Sequence, residues 1–164
     1  MSERDEPEAP PPQATLELAR ADIGFAAAHF SIVDGRAERL HGHNYRVRLR
    51  ARGTLRRDGS VIDFGVLKTA LRIACAELDE HVLIPTASHE LEVREDGDEV
   101  TVRHEQRRYV FPREDVRLLP IANSTCECLA THILSEVRTG LGAWPIHLEL
   151  YVEESPGQGA AAAE

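Results

Sequence analysis

The sequence predicts an α+β domain: an antiparallel sheet with two helices packed on one face. Three observations predict it. Asn44 to Thr54 alternates strictly, with Tyr45, Val47, Leu49 and Ala51 on one parity and Arg46, Arg48, Arg50 and Arg52 on the other, the period-two pattern of a half-buried strand. Two other stretches carry apolar residues at three-to-four spacing, which is helical: Leu67, Leu71, Ala74 and Leu78, then Leu129, Ile133, Leu134, Val137 and Leu141. The order of elements is two strands, a helix, a hairpin excursion, a helix and a last strand, which leaves the helices on one side of the sheet.

The first strand begins near Thr15, and the second holds Phe25 to His29. A polar loop, Asp34 to Arg39, leads into the arginine-striped strand. Val61-Ile62-Asp63-Phe64-Gly65 opens the first helix with Asp63 as its N-cap, and Asp79, Glu80 and His81 end it. Leu91 to Phe111 holds three short alternating runs divided at Asp96-Gly97-Asp98 and Glu105-Gln106-Arg107, a small hairpin excursion. Ser124-Thr125-Cys126-Glu127 fits a capping box before the second helix, which Gly140 and Gly142 end. The last strand runs from Pro145 to Glu153, with Ile146, Leu148, Leu150 and Val152 inward. Its outward Glu149 and Glu153, with Glu17, offer partners to the arginine stripe. So charged a face suggests that subunits close it into a barrel.

A chain of 164 residues with 42% hydrophobic residues is the size of one domain with one core. Residues 1–13, acidic and proline-rich, and residues 157–164 are expected to be disordered tails around a domain spanning 14–156. No leader or membrane span is recognised, and Cys75, Cys126 and Cys128 show no disulfide spacing, so reduced thiols and a cytoplasmic location are expected. The formal net charge of −9 disfavours nucleic acid as a partner.

Chemistry concentrates in three histidines. His41 and His43 in Leu40-His41-Gly42-His43-Asn44-Tyr45 are two apart on a strand and emerge on one side. His29, from the neighbouring strand, would complete three nitrogen ligands with one position open, the arrangement of catalytic zinc. By parity His43 belongs to the core face, which places the metal under the sheet and away from the arginines. Two carboxylates stand in unusual places. Glu154 keeps the parity of the buried row as the last strand ends, so it either frays into solvent or anchors a ligand rich in N–H donors. Glu38, three residues before His41, borders the metal. Asp79, Glu80 and His81 are either surface charge or a carboxylate–imidazole proton relay.

Taken together, Phe25 to His29, His41-Gly42-His43-Asn44-Tyr45, Val61 to Lys68, Leu78-Asp79, Asn123 to Glu127 and Glu154-Ser155-Pro156-Gly157 resemble the 6-pyruvoyltetrahydropterin synthase family, which includes the 6-carboxytetrahydropterin synthases of the queuosine pathway. The resemblance implies the tunnelling fold: a four-stranded antiparallel sheet with two helices per subunit, three subunits closing a barrel and two trimers stacking into a homohexamer. It implies zinc on His29, His41 and His43, a pterin ring held by Glu154 and the Thr125-Cys126-Glu127 segment, including Thr125 and Glu127, and catalytic roles for Glu38, Asp79 and His81. The implied substrate is 7,8-dihydroneopterin triphosphate, with no nucleic-acid or membrane partner. Two departures stand out. No cysteine occurs from Phe30 to Leu40, where most relatives carry a catalytic thiol; Glu38-Arg39-Leu40-His41 is instead similar to the branch that replaces cysteine with glutamate and cleaves the side chain to 6-hydroxymethyl-7,8-dihydropterin for folate-type cofactors. Glu80 occupies the slot where relatives place a histidine, with His81 one residue later.

The expectation is therefore a zinc-dependent lyase performing a retro-aldol cleavage. The alternatives are a 6-carboxy-5,6,7,8-tetrahydropterin synthase, a non-catalytic pterin- or purine-binding homologue, and a purely structural metal protein, which would need a fourth protein ligand.

Overall fold

The computed structural model describes residues 11–164. In chain order the strands are β1 (Gln13–Leu18), β2 (Gly24–His29), β3 (Ile32–Val33), β4 (Arg36–Ala37) and β5 (His41–Thr54), then helix α1 (Phe64–Ala76). β6 (His81–Pro85), β7 (Glu92–Asp96), β8 (Glu99–His104), β9 (Arg107–Pro112) and β10 (Val116–Leu119) precede α2 (Cys126–Leu141), and β11 (Ile146–Ser155) and β12 (Gln158–Ala163) follow it.

The predicted class holds: an antiparallel sheet with two helices. Its spine is β5, whose 14 residues are long enough to pair with two strands along one edge, β2 at His41–Arg46 and β1 at Leu49–Thr54, while β11 lies along the other edge. Tyr45, Val47, Leu49 and Ala51 of β5 and Ile146, Leu148, Leu150 and Val152 of β11 are buried, and they meet Leu67, Leu71, Leu129, Ile133 and Val137 from the helices in one core. The opposite face carries the arginines. Arg50 pairs with Glu17 at 3.2 Å and Glu149 at 3.9 Å, and Arg48 lies 4.3 Å above the Tyr151 ring. Glu153 does not join them; its carboxylate accepts from the Gly157 amide at 2.8 Å.

The sheet is wider than four strands. β6 and β10 extend it in parallel beyond β2, and β12 extends it antiparallel beyond β11, giving seven strands. The segment read as the end of the first helix therefore starts a strand: α1 stops at Ala76, Glu80 takes φ 59°, and its amide donates to Ala26 O at 2.7 Å, turning the chain into β6. The loop from Asp34 to Arg39 contains the second arm of the β3–β4 hairpin, turned at Asp34 (φ 50°) and Gly35 (φ 72°), left-handed values that suit a two-residue reverse turn.

The expected C-terminal tail, 157–164, is also corrected. Gly157, at φ 82°, reverses the chain, Gln158–Ala163 pair with β11, and Ala160 and Ala162 pack against the core. Alanine and glycine give almost no hydropathy signal, so backbone pairing, not side-chain pattern, orders this strand. The expected N-terminal tail, 1–13, lies outside the described residues as far as position 10; of the rest, Gln13 already belongs to β1 and Leu55 N donates to Pro12 O at 2.9 Å.

Asp63 caps α1 as predicted, accepting from the amides of Gly65 at 2.7 Å and Val66 at 3.3 Å. The excursion is a separate three-stranded sheet, β7–β8–β9, covering a second small core of Phe30, Ile84, Val100, Val102 and Val116. No helix among the described residues is long and apolar enough to cross a membrane.

Candidate functional site

The register of β2 on β5 builds the centre of the site. His29 stands opposite His41 and Ala27 opposite His43, so the three histidines cluster on the face beneath the sheet. Their ring centroids are 4.7 to 5.3 Å apart, and one donor atom from each lies within 4.8 Å of the others. Two of the rings are oriented from behind. His29 Nδ1 lies 3.0 Å from the carbonyl oxygen of Ser124, and His41 Nδ1 lies 2.7 Å from that of Arg39. A carbonyl only accepts, so in each ring Nδ1 carries the proton and Nε2 keeps its lone pair.

His29 is 2% exposed, and its Nε2 has no hydrogen-bond partner. A buried lone pair without a partner, beside two further imidazoles and with its own ring fixed by a backbone carbonyl, fits a divalent metal ion held by three neutral nitrogens. Burial holds the His29 pKa below its ordinary value, and the neighbouring His41 and His43 push in the same direction. Both effects favour the neutral, ligating form.

A cavity of about 260 Å³ opens beside His29 and His41 and is also lined by Glu38, Thr125, Glu127 and Glu154. Glu38 follows the β3–β4 hairpin; its amide donates to Ser31 O at 2.9 Å and its Oε2 accepts from Ser31 N at 3.1 Å. Glu154 sits at an irregularity in the β11–β12 pairing between Glu153 and Ser155, which keeps it on the inner side as the strand ends. Its Oε2 accepts from the Cys126 thiol at 3.4 Å. The Cys126 pKa is pushed up to about 12, first by burial and then by the Glu154 charge, so this thiol stays protonated and is a hydrogen-bond donor rather than a nucleophile.

The capping box is shifted by one residue from the sequence reading. Thr125, not Ser124, caps α2, accepting from Cys128 N at 3.5 Å. Ser124 is fully buried; its hydroxyl donates to Phe30 O at 2.8 Å while its carbonyl orients His29. The end of β2 needs a buried donor, and a Ser-Thr pair supplies one hydroxyl for that and another for the helix.

Six of the sequence-derived candidates thus line one cavity: His29, His41, Glu38, Thr125, Glu127 and Glu154. His43 joins the imidazole cluster. Asp79 and His81 do not reach the cavity. Asp79 Oδ1 accepts from Ala26 N at 2.7 Å, and His81, its Nδ1 2.6 Å from Asp79 O, lines a separate cavity with His43, Glu80 and Asp115.

Ser31, the Ser124 hydroxyl and Tyr45 were missed as site residues by sequence reading. Tyr45 is 2% exposed, its ring stacks on Phe25 at 4.6 Å and meets His43 edge-on at 5.6 Å, and its hydroxyl has no partner. Burial raises its pKa most, and the nearby carboxylates of Glu154 and Glu38 push in the same direction. The signal for Tyr45 was its parity: it continues the row of His41 and His43, but was read as core alone.

Comparison with known proteins identifies the family. A family profile described as 6-pyruvoyl tetrahydropterin synthase matches residues 19–164. A protein of Methanocaldococcus jannaschii, provisionally named a 6-carboxy-5,6,7,8-tetrahydropterin synthase, is 33% identical over 153 residues, 88% of this chain and 93% of its own length. A provisionally assigned namesake from Pyrococcus horikoshii is 27% identical over 134 residues, 80% of each chain. The crystal structure of the Plasmodium vivax 6-pyruvoyl tetrahydropterin synthase superposes with a TM-score of 0.89 at 34% identity, covering 93% of this chain and 98% of that one. A variant of the P. vivax protein, described as having its catalytic glutamate replaced by alanine, superposes equally well, with a TM-score of 0.89 at 33% identity and the same coverage of 93% and 98%.

Proposed function

Because the chain belongs to the 6-pyruvoyl tetrahydropterin synthase family, we propose that it is a zinc-dependent lyase that cleaves the side chain of 7,8-dihydroneopterin triphosphate to leave 6-hydroxymethyl-7,8-dihydropterin. The observation that carries this reading is Glu38. Its side chain lines the cavity of His29, His41 and Glu154, and no thiol stands between Phe30 and Leu40 to take its place. The catalytic glutamate named in the P. vivax relative supports it.

Zinc held by His29, His41 and His43 would supply Lewis-acid polarisation of the substrate's side-chain hydroxyls, which lowers their proton affinity. Glu38, with one oxygen engaged by Ser31 N, then takes the proton of the second side-chain hydroxyl. That carbon becomes an aldehyde as its bond to the first side-chain carbon breaks, and the electron pair passes into the ring imine. Glu38 returns the proton to the first carbon, so the cleavage balances without an oxidant. Glu154 is assigned to the ring's N–H donors, because a carboxylate accepts two parallel bonds, with Thr125 and Glu127 on the same wall. Asp79 and His81 are assigned to a proton relay that meets a second subunit's cavity in a homo-oligomer, trimer or hexamer; the place of His81 in a separate cavity, beside His43, supports this. A cytoplasmic location is proposed with it, supported by the three free cysteines.

A second reading, 6-carboxy-5,6,7,8-tetrahydropterin synthase, is favoured by the provisional names of the M. jannaschii and P. horikoshii relatives. One experiment separates the two: zinc-loaded protein is incubated with 7,8-dihydroneopterin triphosphate and the product is identified by mass. The first reading expects 6-hydroxymethyl-7,8-dihydropterin, and Glu38→Gln abolishes turnover while zinc stays bound. Full activity in Glu38→Gln refutes the base assignment.

A further inference from the structure

The β7–β8–β9 sheet contributes nothing to the cavity's lining, yet it grips the cavity's frame at two points. The first is Phe30, the residue after His29, whose ring is buried in the small core under this sheet and stacks on Tyr109 of β9 at 5.3 Å. The second is Arg107, the first residue of β9, placed by the turn at Glu105 with its φ of 50°. Arg107 Nη1 donates to the carbonyl of Ala37 at 2.8 Å and to that of Glu38 at 2.5 Å.

Glu38 is therefore held at three of its polar groups. Its amide and its carboxylate are tied to Ser31, seven residues away on the same hairpin. Those two bonds tie Glu38 to the base of the hairpin, where Ser31 is buried and the Asn123 side chain holds the amide of Ile32 at 3.1 Å and its carbonyl at 2.7 Å. Only the bond to its carbonyl comes from a distant element, 69 residues along the chain. A charged donor makes the stronger class of hydrogen bond, and a guanidinium offers its N–H groups in a rigid plane. Beyond Ile32 the hairpin is exposed at Val33, Asp34, Gly35 and Arg36, β3 and β4 are only two residues each, and Arg107 is what holds the second arm from outside the hairpin.

We infer that Arg107 is the positioning residue for Glu38, and that the β7–β9 sheet is a brace that locates the proton acceptor against the imidazole cluster. The inference rests on the reading of Glu38 as the base. Misplacing a reacting group by about 1 Å costs on the order of 100-fold in rate, so loosening this bond acts on turnover more than on binding.

The test uses the full-length, zinc-loaded protein as wild type, Arg107→Ala and Arg107→Lys, with 7,8-dihydroneopterin triphosphate as substrate. Arg107→Ala is expected to lower kcat by about 10- to 100-fold while KM and zinc content stay close to wild type. Amide hydrogen exchange of the 31–40 segment is expected to accelerate. Arg107→Lys, which keeps a charged donor, and millimolar guanidinium added to Arg107→Ala are each expected to recover part of the rate. A kcat of Arg107→Ala within twofold of wild type overturns the inference, as does unchanged exchange of the 31–40 segment. The exchange comparison needs no turnover, so it decides on the brace even if Glu38→Gln proves fully active and the base reading fails.

Discussion

The imidazole of His29 and the main chain of Ser124, 95 residues apart in sequence, meet at 3.0 Å, and the Ser124 hydroxyl spans the remaining gap to Phe30 O at 2.8 Å. One residue at the foot of α2 thus fixes both the tautomer of a candidate metal ligand and the end of the strand that carries it.

Replacing that hydroxyl separates the two jobs. Ser124→Ala leaves the carbonyl that orients His29 but strips Phe30 O of a buried donor. The expected cost is about 1–2 kcal/mol of unfolding free energy by urea titration. Zinc affinity is expected to weaken far less than in His29→Ala, which removes a ligand outright.

Cys126 reports on Glu154. The carboxylate is the second cause, after burial, of a thiol pKa near 12, so Glu154→Gln is expected to lower that pKa part of the way toward its ordinary value. Alkylation by iodoacetamide at pH 9 should then accelerate at Cys126, followed by peptide mass mapping. Cys75, also pushed up to about 12, by burial and then by Asp79, has no contribution from Glu154 and should remain unreactive.

Gly24 tests the sheet that carries the cluster. A Cβ at this position would lie 2.1 Å from the carbonyl oxygen of Tyr45, a backbone atom that cannot step aside. Gly24→Ala is expected to break the β2–β5 register beside the histidines, with a loss of about 3 kcal/mol or more and a parallel loss of bound zinc by elemental analysis.

His132 gives a pH signature away from the site. Burial, opposed by the charge of Glu136 and helped by that of Arg117, holds its folded-state pKa below the ordinary 6.5. The unfolded chain therefore takes up this proton first as pH falls, and the stability due to His132 is present above about 6.5 and lost between there and the lower folded value. Thermal unfolding of the protein should show a melting temperature that drops below pH 6.5, and His132→Gln should flatten the slope. An unchanged slope would remove His132 as its cause.

Much of the fold was legible in the chain because its strongest elements are amphipathic on their own. The alternation from Tyr45 to Arg52 and the stripe from Leu129 to Leu141 each declare a face without reference to anything else. What escaped were elements with no such face. β12 is built from Gly159 and alanines, and β6 becomes a strand only because Glu80 turns it onto Ala26.

The same division runs through the candidate site. The sequence by itself determined which atoms could ligate: His41 and His43 share a side because strand side chains repeat every two residues, and Glu38 is near them because three residues cannot carry it far. Only the tertiary structure decided that His29 faces His41 across the sheet, that Glu154 turns inward onto Cys126, and that Asp79 and His81 lie outside the cavity. Those outcomes depend on strand register and on contacts between segments tens of residues apart, which the pattern along a single strand does not encode.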